Sequence, residues 1–275
     1  MKPAAFEYQR AASVAAARSA MCDAAAPAKP LAGGQSMGPM LNLRLARPAK
    51  LVDISNIDEL RRIEDCGAFV RLGAAVTHAR IEDELGAIPG MGPLARAARG
   101  IAYRAVRTRG TIGGSLAHAD PAADWPLVLA TLGATILVQA DGGARRIDAA
   151  VFMLSSYVTQ LGEKELLTAV EVPKLSSRAR WSYRKFCRKA GEFAQAAAAV
   201  MLDPERRVAR VFVGAPADRP TSLSALAGDL ARRGRAAVSD DRLQAALRDI
   251  LADAEPARRQ ACTVMLSRAI DEVLA

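Results

Sequence analysis

Two pairs of adjacent glycines constrain this chain more than any other feature. They are Gly33–Gly34 in LAGGQSMGPM (residues 31–40) and Gly113–Gly114 in TIGGSLAHADPAADWP (residues 111–126), 80 positions apart. Glycine admits positive φ and lets backbone N–H groups come close to a ligand that a Cβ would hold off. Loops that present successive N–H groups bind phosphate oxygens. Each pair is followed within two positions by a hydroxyl residue, Ser36 and Ser115. One double glycine reads as a plain turn. Two of them, on separate segments, read as two sides of a clasp that would supply a pyrophosphate with donors from both.

Other signatures of phosphate binding are missing from the sequence. There is no G-x-x-x-x-G-K-[ST], and no G-x-G-x-x-G at a strand–helix junction with an acid downstream. His118 stands two positions before Asp120, but sequence neighbours rarely aim at one target, so both histidines, His78 and His118, read as structural.

Composition narrows the class. Hydrophobic residues make up 51% and charged residues 24% of the 275 positions, as in a globular protein with room for two or more subdomains. No run approaches the length of a membrane span. The opening MKPAAFEYQRAAS lacks the apolar stretch of a secretory signal, so a cytoplasmic protein is expected. The net charge of +9 raises nucleic acid as a partner, but the arginines are scattered and aromatics are only 4%. A solvated or acidic-partner face fits better. Cys22, Cys66, Cys187 and Cys262 form no C-x-x-C and have no zinc-ligand spacing. They read as free thiols, so any metal or iron–sulfur centre would belong to a partner.

Pattern along the chain predicts an α+β protein in three parts, residues 1–55, 56–173 and 174–275. In the first, residues 11–26 read as an Ala-rich helix ended by prolines, and PLAGGQSMGPM as a strand, a glycine turn and a second Pro break. LVDI reads as a strand. In the second, NIDELRRIED reads as a helix capped by Asn56, FVRLGAAVTHARIEDE as strand then helix, and PLARAARGIAYRAVR as one helix. RGTIGGSLAHADPAADWP reads as a loop. Helix, strand (ATILVQA), an Asp-Gly-Gly turn and the strand KELLTAVEVP, closed by Pro173, follow. In the third, FAQAAAAVMLD is ambiguous between helix and strand, VARVFVG is a strand, and three helix-spaced segments end the chain.

AGGQSMGPMLNLRLARPAKLVDI and RGTIGGSLAHADPAADWP closely resemble the FAD-binding medium subunit of the molybdenum hydroxylases, the group of xanthine dehydrogenase and carbon monoxide dehydrogenase. The likeness continues through KELLTAVEVP and YRKFCRKAGEFA and covers nearly the whole chain. It implies an FAD-binding fold of the vanillyl-alcohol-oxidase type, two α+β subdomains, plus a C-terminal domain with a small antiparallel sheet and helices. The implied pyrophosphate cradle is Lys29, Pro30, Leu31, Ala32, Gly33, Gly34, Gln35 and Ser36, with Gly110, Thr111, Ile112, Gly113, Gly114 and Ser115 from the second motif. Ile101, Leu167 and Lys185 match further cofactor-lining positions, and Asp124 matches an acceptor for ribose or the adenine side. Phe193 stands where members place an aromatic at the flavin ring, and GAAVTHA, with His78, lies near the cofactor in relatives. Gln35 replaces the His of some members, and Thr108 stands at the position of an Asn.

The resemblance further implies noncovalent FAD, since neither histidine sits at an attachment position and no cysteine lies in either glycine loop. The molybdenum cofactor and two [2Fe–2S] clusters are expected on a large and a small partner subunit, in a dimer of heterotrimers. The chain would then be an electron-transfer oxidoreductase subunit that passes electrons to NAD, oxygen or a quinone. Two rival readings stand beside it: a basic nucleic-acid-binding module, and a stand-alone flavin oxidase.

Overall fold

The computed structural model describes residues 2–22, 27–215 and 217–275. Three sheets organise it. The first 53 residues form a parallel sheet in the order β1–β3–β2: β1 (Glu7–Arg10), β2 (Ala28–Leu31) and β3 (Lys50–Asp53). Helix α1 (Val14–Cys22) buries Ala17, Ala20 and Met21, and α2 (Met37–Asn42) follows the first glycine loop. The end of the predicted helix at 23–26 lies outside the described residues. Pro39 does not break the chain as expected. It sits in the first turn of α2, where the missing N–H has no intrahelical partner to lose.

The middle segment builds an antiparallel sheet in the order β4–β5–β10–β6–β7: β4 (Ile63–Asp65), β5 (Phe69–Gly73), β6 (Thr135–Ala140), β7 (Gly143–Asp148) and β10 (Leu166–Pro173). The hairpin of β8 (Met153–Ser155) and β9 (Val158–Thr159) stands apart from it. Helices α3 (His78–Glu84), α4 (Gly92–Arg99), α5 (Arg104–Arg107), α6 (Ile112–His118), α7 (Asp124–Leu132) and α8 (Ala149–Phe152) complete the segment. Three expectations change here. NIDELRRIED makes one 3-10 turn (Asp58–Arg61), which starts after Ile57 rather than on an Asn56 cap, and then enters β4. PLARAARGIAYRAVR is two helices, α4 and α5, parted by a turn in which Ala102 takes φ +43°. The segment expected as a loop, 109–126, is mostly α6 and the start of α7, because Thr111 caps α6 with its own hydroxyl. All nine residues of α7 are buried, as an all-round apolar helix requires.

The C-terminal sheet runs β11 (Arg180–Phe186), β12 (Ala196–Asp203), β13 (Val208–Gly214) and β14 (Thr221–Ser222), all antiparallel. FAQAAAAVMLD resolves as strand β12. Ala196, Ala198 and Val200 pack into a core with α9 (Ser224–Arg233), α10 (Asp240–Leu247) and α11 (Pro256–Leu274), while Ala197 and Ala199 pack against Leu127 and Ala130 of α7. Both faces are covered, so period-2 alternation is lost and small side chains admit a helix on each side. The first two segments share one core, in which Ala17 and Val52 join Val70, Leu72 and Trp125. The architecture is the α+β arrangement expected, with an antiparallel sheet and helices at the C-terminal end.

Candidate functional site

The two glycine loops meet. A Cβ on Gly33 would stand 1.9 Å from the carbonyl oxygen of Arg109 and 2.9 Å from Cα of Gly110. Only glycine lets the first loop lie against the backbone leading into the second. Gly34 takes φ +71°, which turns the chain from β2 into α2. Among the described residues, the amides of Ala32, Gly33, Gly34, Gln35 and Ser36 donate to no backbone or side-chain acceptor. None of these five residues is buried. An unpaired amide row beside a second loop is what a phosphate chain requires.

The second loop is built the other way round. Its amides turn inward: Ile112 donates to Val76 O at 3.1 Å, Gly113 to Ala74 O at 3.0 Å, Gly114 to Thr111 Oγ1 at 3.1 Å and Ser115 to Thr111 O at 3.0 Å. Gly113 is glycine for packing, since a Cβ would lie 2.6 Å from Cβ of Ala74. Gly114 lies in helix α6, without the positive φ that a double glycine suggests. A Cβ there would crowd Thr111 Oγ1 at 2.8 Å and reach Cβ of Ala32 at 4.0 Å, so its exposed face borders the first loop. The unpaired amides expected from both sides thus lie mostly on the first; the second keeps the Thr111 amide, which has no acceptor among the described residues, and the half-buried Ser115 hydroxyl.

His78 backs this wall. Its amide donates to Gly110 O at 2.9 Å, its Nδ1 accepts from Trp125 Nε1 at 3.0 Å, and its ring occupies the space a Cβ on Gly110 would need. Burial, aided by the Arg107 guanidinium, pushes the imidazole pKa down to about 4, so it stays neutral at physiological pH. It is a fold histidine. His118 is half-buried, with its ring 5.2 Å from that of Tyr157, and does not form a pair with Asp120.

The other expected residues gather at a second place. Asp124, 5% exposed, accepts on Oδ1 from both Lys185 Nζ and Tyr183 Oη, each at 2.8 Å. Burial pushes its carboxyl up, and Lys185 and Tyr183 pull it back. Through these partners on β11, Asp124 and Lys185 join the middle and C-terminal segments. Lys185 Nζ also donates to Gly100 O, beside the half-buried Ile101, at 2.9 Å, and to Glu192 O, beside Phe193, at 3.4 Å. Leu167 is 4% exposed on β10, and the next residue, Thr168, accepts the amide of Ala74 behind Gly113. Phe193 is 63% exposed, which removes any role in the core. Lys29 is exposed and Pro30 and Leu31 half-buried along β2. Sequence reasoning missed Ala74 and Gly191, whose contacts lie far along the chain, and Arg107, whose partner Glu82 is 25 residues away.

Comparison with known proteins identifies the family. Residues 4–175 match the family described as the FAD binding domain in molybdopterin dehydrogenase. The chain is 40% identical over 174 residues to the nicotine 6-hydroxylase medium subunit of Paenarthrobacter nicotinovorans, covering 63% of this chain and 61% of that protein. It is 35% identical over 262 residues to the carbon monoxide dehydrogenase medium chain of Hydrogenophaga pseudoflava, covering 94% and 90%. The solved carbon monoxide dehydrogenase from Hydrogenophaga pseudoflava that lacks the Mo-pyranopterin moiety superposes with a TM-score of 0.90 at 32% identity, over 99% of this chain and 98% of that one. With its two opposed glycine loops and this match along almost its full length, the chain belongs to the FAD-binding medium subunits of the molybdenum hydroxylases.

Proposed function

We propose that this subunit holds FAD noncovalently in the cleft between its glycine loops. There it accepts electrons from a [2Fe–2S] subunit and passes them to an external acceptor such as NAD, oxygen or a quinone. A large molybdenum-cofactor subunit would oxidise the substrate, in a cytoplasmic dimer of heterotrimers. The observation that supports the binding half is the row of five unpaired amides from Ala32 to Ser36, pressed against the second loop by Gly33. These amides, with the Ser36 and Ser115 hydroxyls, are the donors for a diphosphate. FAD, when bound, supplies the one- and two-electron chemistry. The protein orients it and controls access: the second loop, braced by His78 and Ala74, is the rigid wall, and the exposed Phe193 is the adaptable edge that shields the flavin ring.

Purified chain reconstituted with FAD should show the flavin absorption band, and acid denaturation followed by filtration should release all the colour. Colour retained on the polypeptide would contradict noncovalent binding. Salt-sensitive DNA retention without flavin uptake would favour the basic-module reading instead. Phe193→Ala should keep FAD, because aromatic stacking adds only about 0.5–1.5 kcal/mol. Its melting temperature should stay close to wild type, while the reduced flavin reoxidises at a different rate. Identical reoxidation in the variant removes the gate.

A further inference from the structure

The turn between α4 and α5 is held by cations from inside. Lys185 Nζ donates to Gly100 O at 2.9 Å, and Arg107 Nη1 donates to Ile101 O at 2.8 Å and Ala102 O at 2.9 Å. Three successive carbonyls therefore point at two side chains that are only 12% and 11% exposed. Between them Ala102 takes φ +43°, a left-handed conformation that costs an L-residue with a Cβ. Arg107 is itself aimed by Glu82 Oε2 at 2.8 Å.

The turn in turn carries the loop 187–195. The Ala102 amide donates to Gly191 O at 3.0 Å, and Gly191, at φ +87°, leaves no room for a Cβ, which would lie 2.7 Å from Ala102 O. Among the described residues, the only other backbone hydrogen bond from this loop to the middle segment is Ala194 N–H to Ala122 O, at 3.4 Å. Phe193 is exposed, and the residue before it gives its carbonyl to Lys185 Nζ at 3.4 Å.

We propose that Arg107 is a positioning residue of the cofactor site. It holds Ala102 left-handed so that the turn supports Gly191, and through Gly191 it sets where Phe193 stands. The inference rests on the reading of Phe193 as flavin-facing. Arg107 can be removed without leaving a bare carboxylate, since Glu82 keeps Arg104 at 2.8 Å and Arg99 at 3.6 Å.

Hydrogen exchange on the full chain without FAD tests the linkage directly. Arg107→Gln should speed exchange of the Ala102 amide and of the 187–195 amides at least tenfold, and hasten tryptic cleavage after Arg188 and Lys189. Adding Ala102→Gly should restore much of the protection, because glycine holds the left-handed turn without the guanidinium. A general loss of packing would not be repaired by that glycine. Gly191→Ala, with Arg107 intact, should loosen the same amides, and it decides the matter alone if Arg107→Gln does not fold. Unchanged exchange at Ala102 and the loop, or no rescue by Ala102→Gly, overturns the proposal. With FAD bound, Arg107→Gln should shift the flavin reoxidation rate in the same direction as Phe193→Ala. If Phe193→Ala leaves that rate unmoved, the flavin-facing reading fails and takes the assignment of Arg107 to the site with it. If Phe193→Ala moves the rate while the loop stays protected in Arg107→Gln, the proposal fails alone.

Discussion

The two glycine loops share a motif and divide its uses. In the first, Gly34 supplies a positive φ, Gly33 supplies close approach, and five amides are left unpaired. In the second, no glycine takes a positive φ; Gly110 and Gly113 make room for the His78 ring and for Ala74, and the amides from Ile112 to Ser115 are spent on the protein's own carbonyls and the Thr111 hydroxyl. One loop offers mainly unpaired amides and the other mainly shape. A repeated motif therefore does not imply a repeated function. What a glycine does depends on which neighbour fills the space where its side chain would be.

The sharpest way to break this contrast is at the point where the loops touch. Gly33→Val places a branched side chain onto the Arg109 carbonyl, and backbone cannot yield as a side-chain tip can. We expect more than about 3 kcal/mol of destabilisation, at the upper end of overpacking, and loss of nearly all bound flavin, read as the flavin-to-protein absorbance ratio. Wild-type flavin content in this variant would show that the loops need not meet.

Acid should act on the second loop through His78. Its ordinary pKa of 6.5 falls to about 4 in the folded chain. Between those values the unfolded chain binds the proton and the folded chain does not, so stability falls as pH drops. The contribution is complete above pH 6.5 and lost towards pH 4, about 3 kcal/mol in all. Urea unfolding at pH 7 and pH 5 should show a smaller pH dependence in His78→Gln than in wild type. Equal slopes would mean that the imidazole is not held neutral behind the wall.

Gly113→Ala should cost about 1–3 kcal/mol through its contact with Ala74, seen as a lower melting temperature. Flavin affinity at a temperature where the variant is folded should change little, because the Gly113 amide already serves Ala74. A large drop in affinity without loss of stability would return the second loop to the role of donor. The smallest effect is expected for Gly34→Ala, where a Cβ meets only Leu31 Cδ1 at 3.7 Å and the cost is the left-handed backbone alone, about 1–2 kcal/mol. Its flavin affinity should weaken by less than that of Gly33→Val, since the clash at Arg109 is absent; the reverse order would invert the account of the first loop.

How legible the rest was depends on the range of the interaction concerned. Strands such as LVDI and KELLTAVEVP carry β-rich apolar runs and are found where expected, at β3 and β10. FAQAAAAVMLD was undecidable, because alanine favours a helix in isolation and its strand state comes from α7 on one face and the C-terminal helices on the other. RGTIGGSLAHADPAADWP looked like a loop because glycine disfavours helix; the Thr111 cap and the bed of Ala74 and Val76 overrode that preference. The Gly100–Tyr103 break was hidden for a related reason: alanine and arginine propagate a helix, and the ties to Lys185 and Gly191 that end this one lie about 85 residues away in sequence.

The sequence by itself determined the α+β class through its residue pattern, and the family and FAD through the resemblance that its two glycine motifs carry, which local residue type is enough to see. Only the tertiary structure decided their division of labour. An amide is a donor to a ligand or a bond of the fold according to whether Ala74, Val76 or Thr111 stands within about 3 Å of it. In the same way, Asp124 at the start of α7 holds Lys185 and Tyr183 of β11, about 60 residues away in sequence. Such pairings are set by chain segments far apart in sequence, and no local pattern records them.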